Sequence, residues 1–407
     1  MKSRCIHICI LLCLYVYNLY GQTPDDNIII TKCSDSYIFE EKDGIPIVSN
    51  RKEISYEATR MGASLQPHTY YGEFISLDKA SAKGGGKAEY KSITPENVFF
   101  DDSKVCFFNL YLDRKGKKTE ASFKRTFHDL HYFTRVYLGE DYFIREKQLT
   151  FIIPQSLSRF HLTEKNFSPA IHCERSINSA GDSVFTYVVT NMPAMKDEKQ
   201  MPATGKVYPH ILITGSFKDY HDMYCWSNKL AQVDCNVPEI DILLAKITAG
   251  CHTDMEKIRN TYAWVQQNIR YIAFEAGILG HRPDTPAEVL RKRYGDCKGM
   301  SLLLRTLLKA QGFDARLTDI GTIDIPYRMS DSNACICQPH DMQPYLSGKN
   351  LLSGRHQRIH SAGIHTRKHT GQGSYDRKRR RMYRTDGTHI GQQCFYGQPV
   401  LHLHPLR

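Results

Sequence analysis

The 407-residue chain lacks several features, and each gap narrows what it can be. Beyond residue 21 no apolar run approaches the ~20 residues that a bilayer-spanning helix needs. Its cysteines are not dense or evenly spaced, which argues against a disulfide framework. Cys33, Cys106, Cys173, Cys225, Cys235 and Cys251 are scattered, and a Cys225–Cys235 bridge stays open as an option. From Asn27 to Ile240 no acid pair and no metal-ligand cluster stands out. Residues 331–407 have no Glu, no Trp and a single Phe, Phe395. A stretch so poor in core-forming residues is not expected to fold on its own.

That last stretch is instead basic. It carries twelve Lys and Arg against four Asp, hence +8 of the chain's +11, and eight of the eighteen histidines. Lys2 and Arg4 supply two more charges, so residues 5–330 are nearly neutral. Arg377-Lys378-Arg379-Arg380-Arg381 would suit nucleic acid or an anionic surface. His356, His360, His365 and His369 have ligand-like spacing, and His356-Gln357-Arg358-Ile359-His360 echoes a zinc finger. Cys335 and Cys337, however, have one residue between them rather than about two to four, and an apolar finger core is missing. A zinc finger is therefore rejected, and adventitious metal binding stays open. No dedicated metal site, no cofactor and no nucleic-acid partner is expected.

At the other end, Lys2 and Arg4 precede an apolar run from Ile6 to about Tyr17, followed by Leu19-Tyr20-Gly21. This is the layout of a signal peptide, residues 1–21, cleaved after Gly21. The expected protein is exported, periplasmic in a bacterium, with no stable membrane insertion after cleavage. Export also separates it from nucleic acid.

Residues 22–240 are β-rich. Val105–Leu112, Tyr132–Leu138, Leu149–Ile153 and Ser183–Val189 are short aromatic and β-branched runs. Polar breakers such as Arg114-Lys115-Gly116, Gly139-Glu140-Asp141 and Ala180-Gly181-Asp182 separate them. The pattern predicts a β-sandwich serving as a binding or packing module. Ile240 to Ile247 is helix-like and leads into the next region.

The centre of that region is Tyr294-Gly295-Asp296-Cys297-Lys298-Gly299. Leu302, Leu303, Leu304, Leu307, Leu308 and Ala310 follow at helical spacing, so a buried helix is expected. Asp296 is placed to cap its start, and Gly312 stands where a C-terminal glycine belongs. Cys297 then sits at a helix N-terminus, where partial positive charge favours the thiolate. Lys298 and Arg291-Lys292-Arg293 are expected to act in the same direction. The plainer alternative is a packing cysteine, because free cysteine is among the most buried residue types.

Residues Asp254 to Arg328 resemble the core of the transglutaminase-like superfamily. The likeness rests on Tyr262-Ala263-Trp264-Val265 through Ile269-Arg270-Tyr271, then Arg282-Pro283-Asp284-Thr285-Pro286, then the Gly-Asp-Cys-Lys element, then Ala315-Arg316-Leu317. It implies a papain-like α+β fold. It also implies acyl transfer or amide hydrolysis by a Cys-His-Asp triad on peptide or protein substrates. Cys297 matches the nucleophile, and the histidine and aspartate belong on later strands. More loosely, residues 22–240 resemble the domain of unknown function that precedes such domains in exported Bacteroidetes proteins.

The triad has no counterpart after Cys297 in this reading frame. His340, Asp341 and Asp386 lack the family's flanking residues. Read one base later, the codons of Gln338 to Gln343 permit Asn-His-Met-(Ile/Thr)-Cys. Those of Lys349 to Ile359 permit Lys-Thr-Tyr-Tyr-Leu-Asp-Ala-Thr-Asn-Glu-Tyr. Both strings resemble the family's histidine and aspartate motifs, in the right order. Residues 331–407 are thus expected to be a disordered tail or the product of a frameshift.

The expected organisation is a mixed fold: a signal peptide (1–21), a β-sandwich-like domain (22–240), a truncated transglutaminase-like core (241–330) and the aberrant tail (331–407). Catalysis by Cys297 is expected to be lost where the triad is incomplete, and the core is expected to leave a bare sheet edge. The alternative is a non-catalytic periplasmic binding or scaffold protein that works through its β-domain.

Overall fold

The computed structural model describes residues 27–84, 86–93, 99, 101–196, 198, 201–274, 276–315, 317, 325–328 and 331–334, with the backbone of 344–348 and 400–405. Residues 1–26, where a signal peptide is expected, and most of 331–407, including Cys335, Cys337, His340, Asp341 and Asp386, lie outside the described residues.

The N-terminal region is built of fifteen strands among the described residues. In chain order the first nine are β1 (Ile28–Lys42), β2 (Ile45–Ala58), β3 (Ala63–Leu65), β4 (His68–Tyr71), β5 (Ile75–Ala82), β6 (Glu89–Ser92), β7 (Lys104–Phe107), β8 (Leu110–Leu112) and β9 (Lys118–Phe127). They continue with β10 (Arg135–Tyr137), β11 (Phe143–Ile153), β12 (His161–Lys165), β13 (His172–Ile177), β14 (Ser183–Met192) and β15 (His210–Thr214). Seven of them form one sheet in the order β13-β14-β11-β1-β2-β9-β5. Every neighbouring pair in it is antiparallel except β1 with β11. A smaller sheet, β10-β15-β12, packs over one end of its inner face.

Strand alternation explains the inner face. Along β1, Cys33, Asp35, Tyr37 and Phe39 are buried while Ser34, Ser36 and Glu40 face outward. Tyr37 and Phe39 join Val48, Phe127, Phe151 and Tyr187 in a core closed by Val136, Ile211 and Ile213 of the smaller sheet. At the other end, Ile28, Ile30, Cys33, Ile54 and Phe123 pack on Ala63, Leu65, Leu110 and Leu112 of the β3–β8 pair. A belt of charge separates the two cores. Glu140 bonds Lys147 and Lys52, each at 2.6 Å. Beside them Asn50 donates to Asp35 at 2.7 Å and accepts from Arg125 at 2.9 and 3.0 Å.

Two of the predicted runs are altered. The run from Val105 to Leu112 divides into β7 and β8, which belong to different small sheets. Of Tyr132–Leu138 only Arg135–Tyr137 is strand. Gly139-Glu140-Asp141 does interrupt the strands, but its carboxylate turns inward to hold two lysines, so it is core as well as turn.

Six α-helices are present among the described residues, the first of them before β15: α1 (Thr204–Val207), α2 (Tyr220–Leu230), α3 (Ile240–Ile247), α4 (Asp254–Asn268), α5 (Pro286–Lys292) and α6 (Cys297–Ala310). Ile258 and Val265 of α4 meet Leu303, Leu304, Leu307 and Leu308 of α6, with Leu244 and Val289 completing this core. Thr253 and Glu256 form a capping box at the start of α4. The molecule is thus a β-sandwich-like region followed by an α+β region organised around α6. Among the described residues no helix is long and apolar enough to cross a membrane.

Before α6, β16 (Arg270–Tyr271) and β17 (Tyr294–Gly295) form a short parallel pair. Strand β18 (Phe313–Ala315) begins two residues before the expected Ala315. Its edge is not bare: β20 (Val400–Pro405) pairs with it, and β19 (Pro344–Gly348) pairs with β20. Unpaired backbone N–H and C=O groups at an edge make such a template for further strands.

Candidate active site

Helix α6 starts and ends as its local chemistry dictates. The Gly299 N–H donates to Asp296 Oδ1 at 2.8 Å, which satisfies one of the four orphan donors of the first turn. At the far end Gly312 takes φ +88°, a conformation that costs glycine little. Ten of its fourteen residues are buried, so the helix is the spine of its unit rather than a surface element.

Cys297 is the first residue of α6 and is only 2% exposed. Its thiol is not in a disulfide, and the same holds for each described cysteine, so Cys225 and Cys235 are not bridged. The strand pair β16–β17 fixes the approach to it. Arg270 N–H donates to Arg293 O at 2.9 Å and Ile272 N–H to Gly295 O at 3.0 Å. On the other side, a Cβ added at Gly299 would lie 3.1 Å from Val289 Cγ2 and 3.7 Å from Asp284 Cβ. Helix α5 therefore presses on the first turn of α6, and glycine permits that approach.

The nearby cations are not free to act on the thiol as expected. Lys298, 2% exposed, is paired with the carboxylate of Asp296. Arg291 bonds Glu288 at 2.7 Å, and Lys292 lies 3.5 Å from Asp284 and 3.6 Å from Glu288. Arg293 stands over the Trp264 ring at 5.6 Å. Three of these four positive charges thus have carboxylate partners, and their fields largely cancel beyond a few ångströms. What remains to favour thiolate is the helix N-terminus itself.

Trp264 packs at the margin of the α4–α6 core, as its helical position predicts. Tyr294 stacks against Phe274, with ring centroids 5.9 Å apart. Among the described residues no group of three His, Cys, Asp or Glu is arranged to hold a metal ion.

Sequence reasoning missed the reach of the β-sandwich into this neighbourhood. Asp102 Oδ1 accepts from Gly277 N–H at 2.8 Å, and Phe99 N–H donates to Ala273 O at 3.0 Å. His281 packs on Tyr132 and Trp226 at 4.9 and 5.3 Å between centroids. No spacing rule foretells contacts between residues some 175 positions apart. The only advance signal is Asp101-Asp102 beside aromatic residues Phe99 and Phe100.

These features define an α+β unit built on a cysteine-headed helix and joined to a β-sandwich. Residues 242–322 match the model of the transglutaminase-like superfamily. The crystal structure of a "putative protease" from Parabacteroides distasonis shares the fold, with a TM-score of 0.54 at 13% identity over 78% of this chain. The chain spans 64% of that protein's length. A "putative nutrient binding protein" from Legionella pneumophila overlaps 61% of this chain and 83% of its own, at 10% identity and a TM-score of 0.29, too low to carry an argument. No curated protein matches.

Proposed function

We propose that the site is built for thiol acyl chemistry on peptide or protein amides, with Cys297 as nucleophile. The observation that carries this is the position of Cys297 on the first turn of a buried helix inside the superfamily segment. In the proposed step, the Cys297 thiolate attacks the amide carbonyl carbon and the C–N bond breaks. The departing amine takes up a proton, and the acyl group stays as a thioester on sulfur. Water or a second amine then attacks that thioester, which separates hydrolysis from cross-linking.

A histidine must take the thiol proton and deliver it to the amine, and an aspartate must orient it. The chain as written lacks both motifs in frame, so its activity is proposed to be lost or residual. The packing of Asn333 and Ala334 into the protein supports an altered reading frame beginning after Ala334. The first permitted motif string begins at Gln338. Sequencing the gene across codons 325–360 tests this: one added or missing base restores both motifs, whereas an unaltered frame describes a decayed enzyme. The same reading has the protein exported to the periplasm by residues 1–21.

A second reading is a non-catalytic binding or scaffold protein. The deep burial of Cys297 and the pairing of Lys298 with Asp296 favour it. Mass-resolved iodoacetamide labelling distinguishes the two. An activated Cys297 alkylates near neutral pH in the folded protein, and a packed thiol does so only on unfolding.

A further inference from the structure

The turn joining β4 to β5 and the loop before β7 both touch the segment that leads to Cys297. Gly72 and Ile75 close the turn by paired backbone hydrogen bonds of 2.9 and 3.3 Å. Glu73 is exposed on this turn, while Phe74 O accepts from His128 N–H at 2.9 Å. Asp102 bonds in two directions: one carboxylate oxygen accepts from Glu73 N–H, the other from Gly277 N–H at 2.8 Å. The Glu73 carboxylate lies directly against the Cα of Gly277, leaving no room there for a Cβ, and Gly277 takes φ +47°. Phe74 stacks on Tyr132 with centroids 4.0 Å apart, and Tyr132 in turn meets His281. A second line of contact runs through Phe99, 71% exposed, to Phe274 at 5.7 Å and from Phe274 to Tyr294.

Outside the sandwich, the direct partners of these groups are Ala273, Phe274, Gly277 and His281. That loop leaves β16 directly, and β16 pairs with β17, whose last residue precedes the cap residue Asp296. The path from Asp102 to Cys297 is therefore one loop and one strand pair, with hydrogen bonds at each junction.

We infer that Asp102 is a positioning residue: it locks the Ala273–His281 loop to the sandwich and thereby sets the geometry in which Cys297 meets its substrate. The β-domain is then part of the thiol site rather than a separate module. A carboxylate suits this role, because hydrogen bonds to a charged acceptor are roughly twice as strong as neutral ones. The inference rests on the proposed thiol chemistry for its consequence, though not for the clamp itself.

The test uses the full chain with Cys225→Ser, which removes the exposed thiol. Two variants are compared, Asp102→Ala and the near-isosteric Asp102→Asn, which preserves the packing against Gly72. Hydrogen exchange reads the clamp, and mass-resolved iodoacetamide labelling across pH reads the thiol. In Asp102→Ala, amides at 272–281 should exchange about ten-fold faster while β1, β2 and α6 keep their protection. The rate or pH midpoint of Cys297 alkylation should move with them, and Asp102→Asn should fall between Ala and wild type. Unchanged exchange at 272–281 in both variants overturns the clamp. Faster exchange with unaltered Cys297 labelling overturns the positioning role. A Cys297 inert to labelling in the folded parent protein sinks the thiol reading instead, and the exchange result then still decides the clamp.

Discussion

Asp296 and Lys298 form a buried ion pair across Cys297, and the other oxygen of Asp296 caps α6. One carboxylate thus starts the helix and neutralises its nearest cation. Asp296→Ala removes both functions and strands a buried ammonium, a loss of about 3–5 kcal/mol. Asp296→Asn keeps an acceptor for Gly299 N–H and should recover about 1 kcal/mol of that. Lys298→Met should cost least, because the remaining carboxylate still faces a helix N-terminus. Denaturant unfolding of the three variants checks the ranking, and equal losses would show that pair and cap do not act separately.

Glu140, largely enclosed between Lys52 and Lys147, is a second carboxylate with a measurable consequence. Burial alone would raise its pKa, but Lys147 and Lys52 outweigh it and hold the carboxyl at about 2. A depressed carboxyl contributes stability above its unfolded value of about 4.3, and loses it as pH falls through the folded value. The contribution at neutral pH is on the order of 3 kcal/mol. Glu140→Gln should therefore be markedly less stable at pH 7 and show a flatter acid limb between about pH 4 and pH 2. Parallel unfolding curves for both proteins over that range would refute the assignment.

Residues 325–328 and 331–334 pack on the sandwich after α6. Tyr327 OH donates to His210 Nε2 at 2.8 Å, while His210 Nδ1–H donates to Tyr208 O at 2.9 Å. Asn333 donates to the carbonyl of Ile213, and Ile325 and Tyr327 cover Leu212. This bonding requires neutral imidazole, and burial pushes the His210 pKa below its ordinary 6.5. A histidine so lowered stabilises the fold above its ordinary value, and that support fades as pH drops below it. Amides in 325–328 should lose protection between pH 7 and pH 5, in a hydrogen-exchange series, and Tyr327→Phe should cost about 1 kcal/mol. Protection independent of pH would rule out His210 as the fastening.

The parts legible in the sequence are those set by neighbours along the chain. Helix α3 falls on Ile240–Ile247 as its apolar pattern predicts, and α6 has the expected cap at Asp296 and glycine at Gly312. The turns at Gly116 and Gly181, both at positive φ, follow from the same local chemistry. What escaped depends on distant partners. β1 pairs with β11 more than one hundred positions away, aligning Cys33 with Lys147. The β1–β2 pairing likewise sets Lys52 opposite Asp35, and from 88 positions away Lys52 reaches Glu140, a residue that the sequence presents only as part of a polar turn. The cations around Cys297 were likewise visible as charges, whereas their carboxylate partners depended on how α5 and α6 pack.

The direct test of the account is the rate of Cys297 alkylation by iodoacetamide in the folded, full-length protein, followed by peptide mass from about pH 5 to pH 10. A thiol activated by the α6 N-terminus should react with a midpoint below the free-cysteine value of about 8.5, and Cys297→Ser should abolish only that signal. If Cys297 labels solely after unfolding, its place at the helix start is a packing role and the acyl-transfer account is wrong.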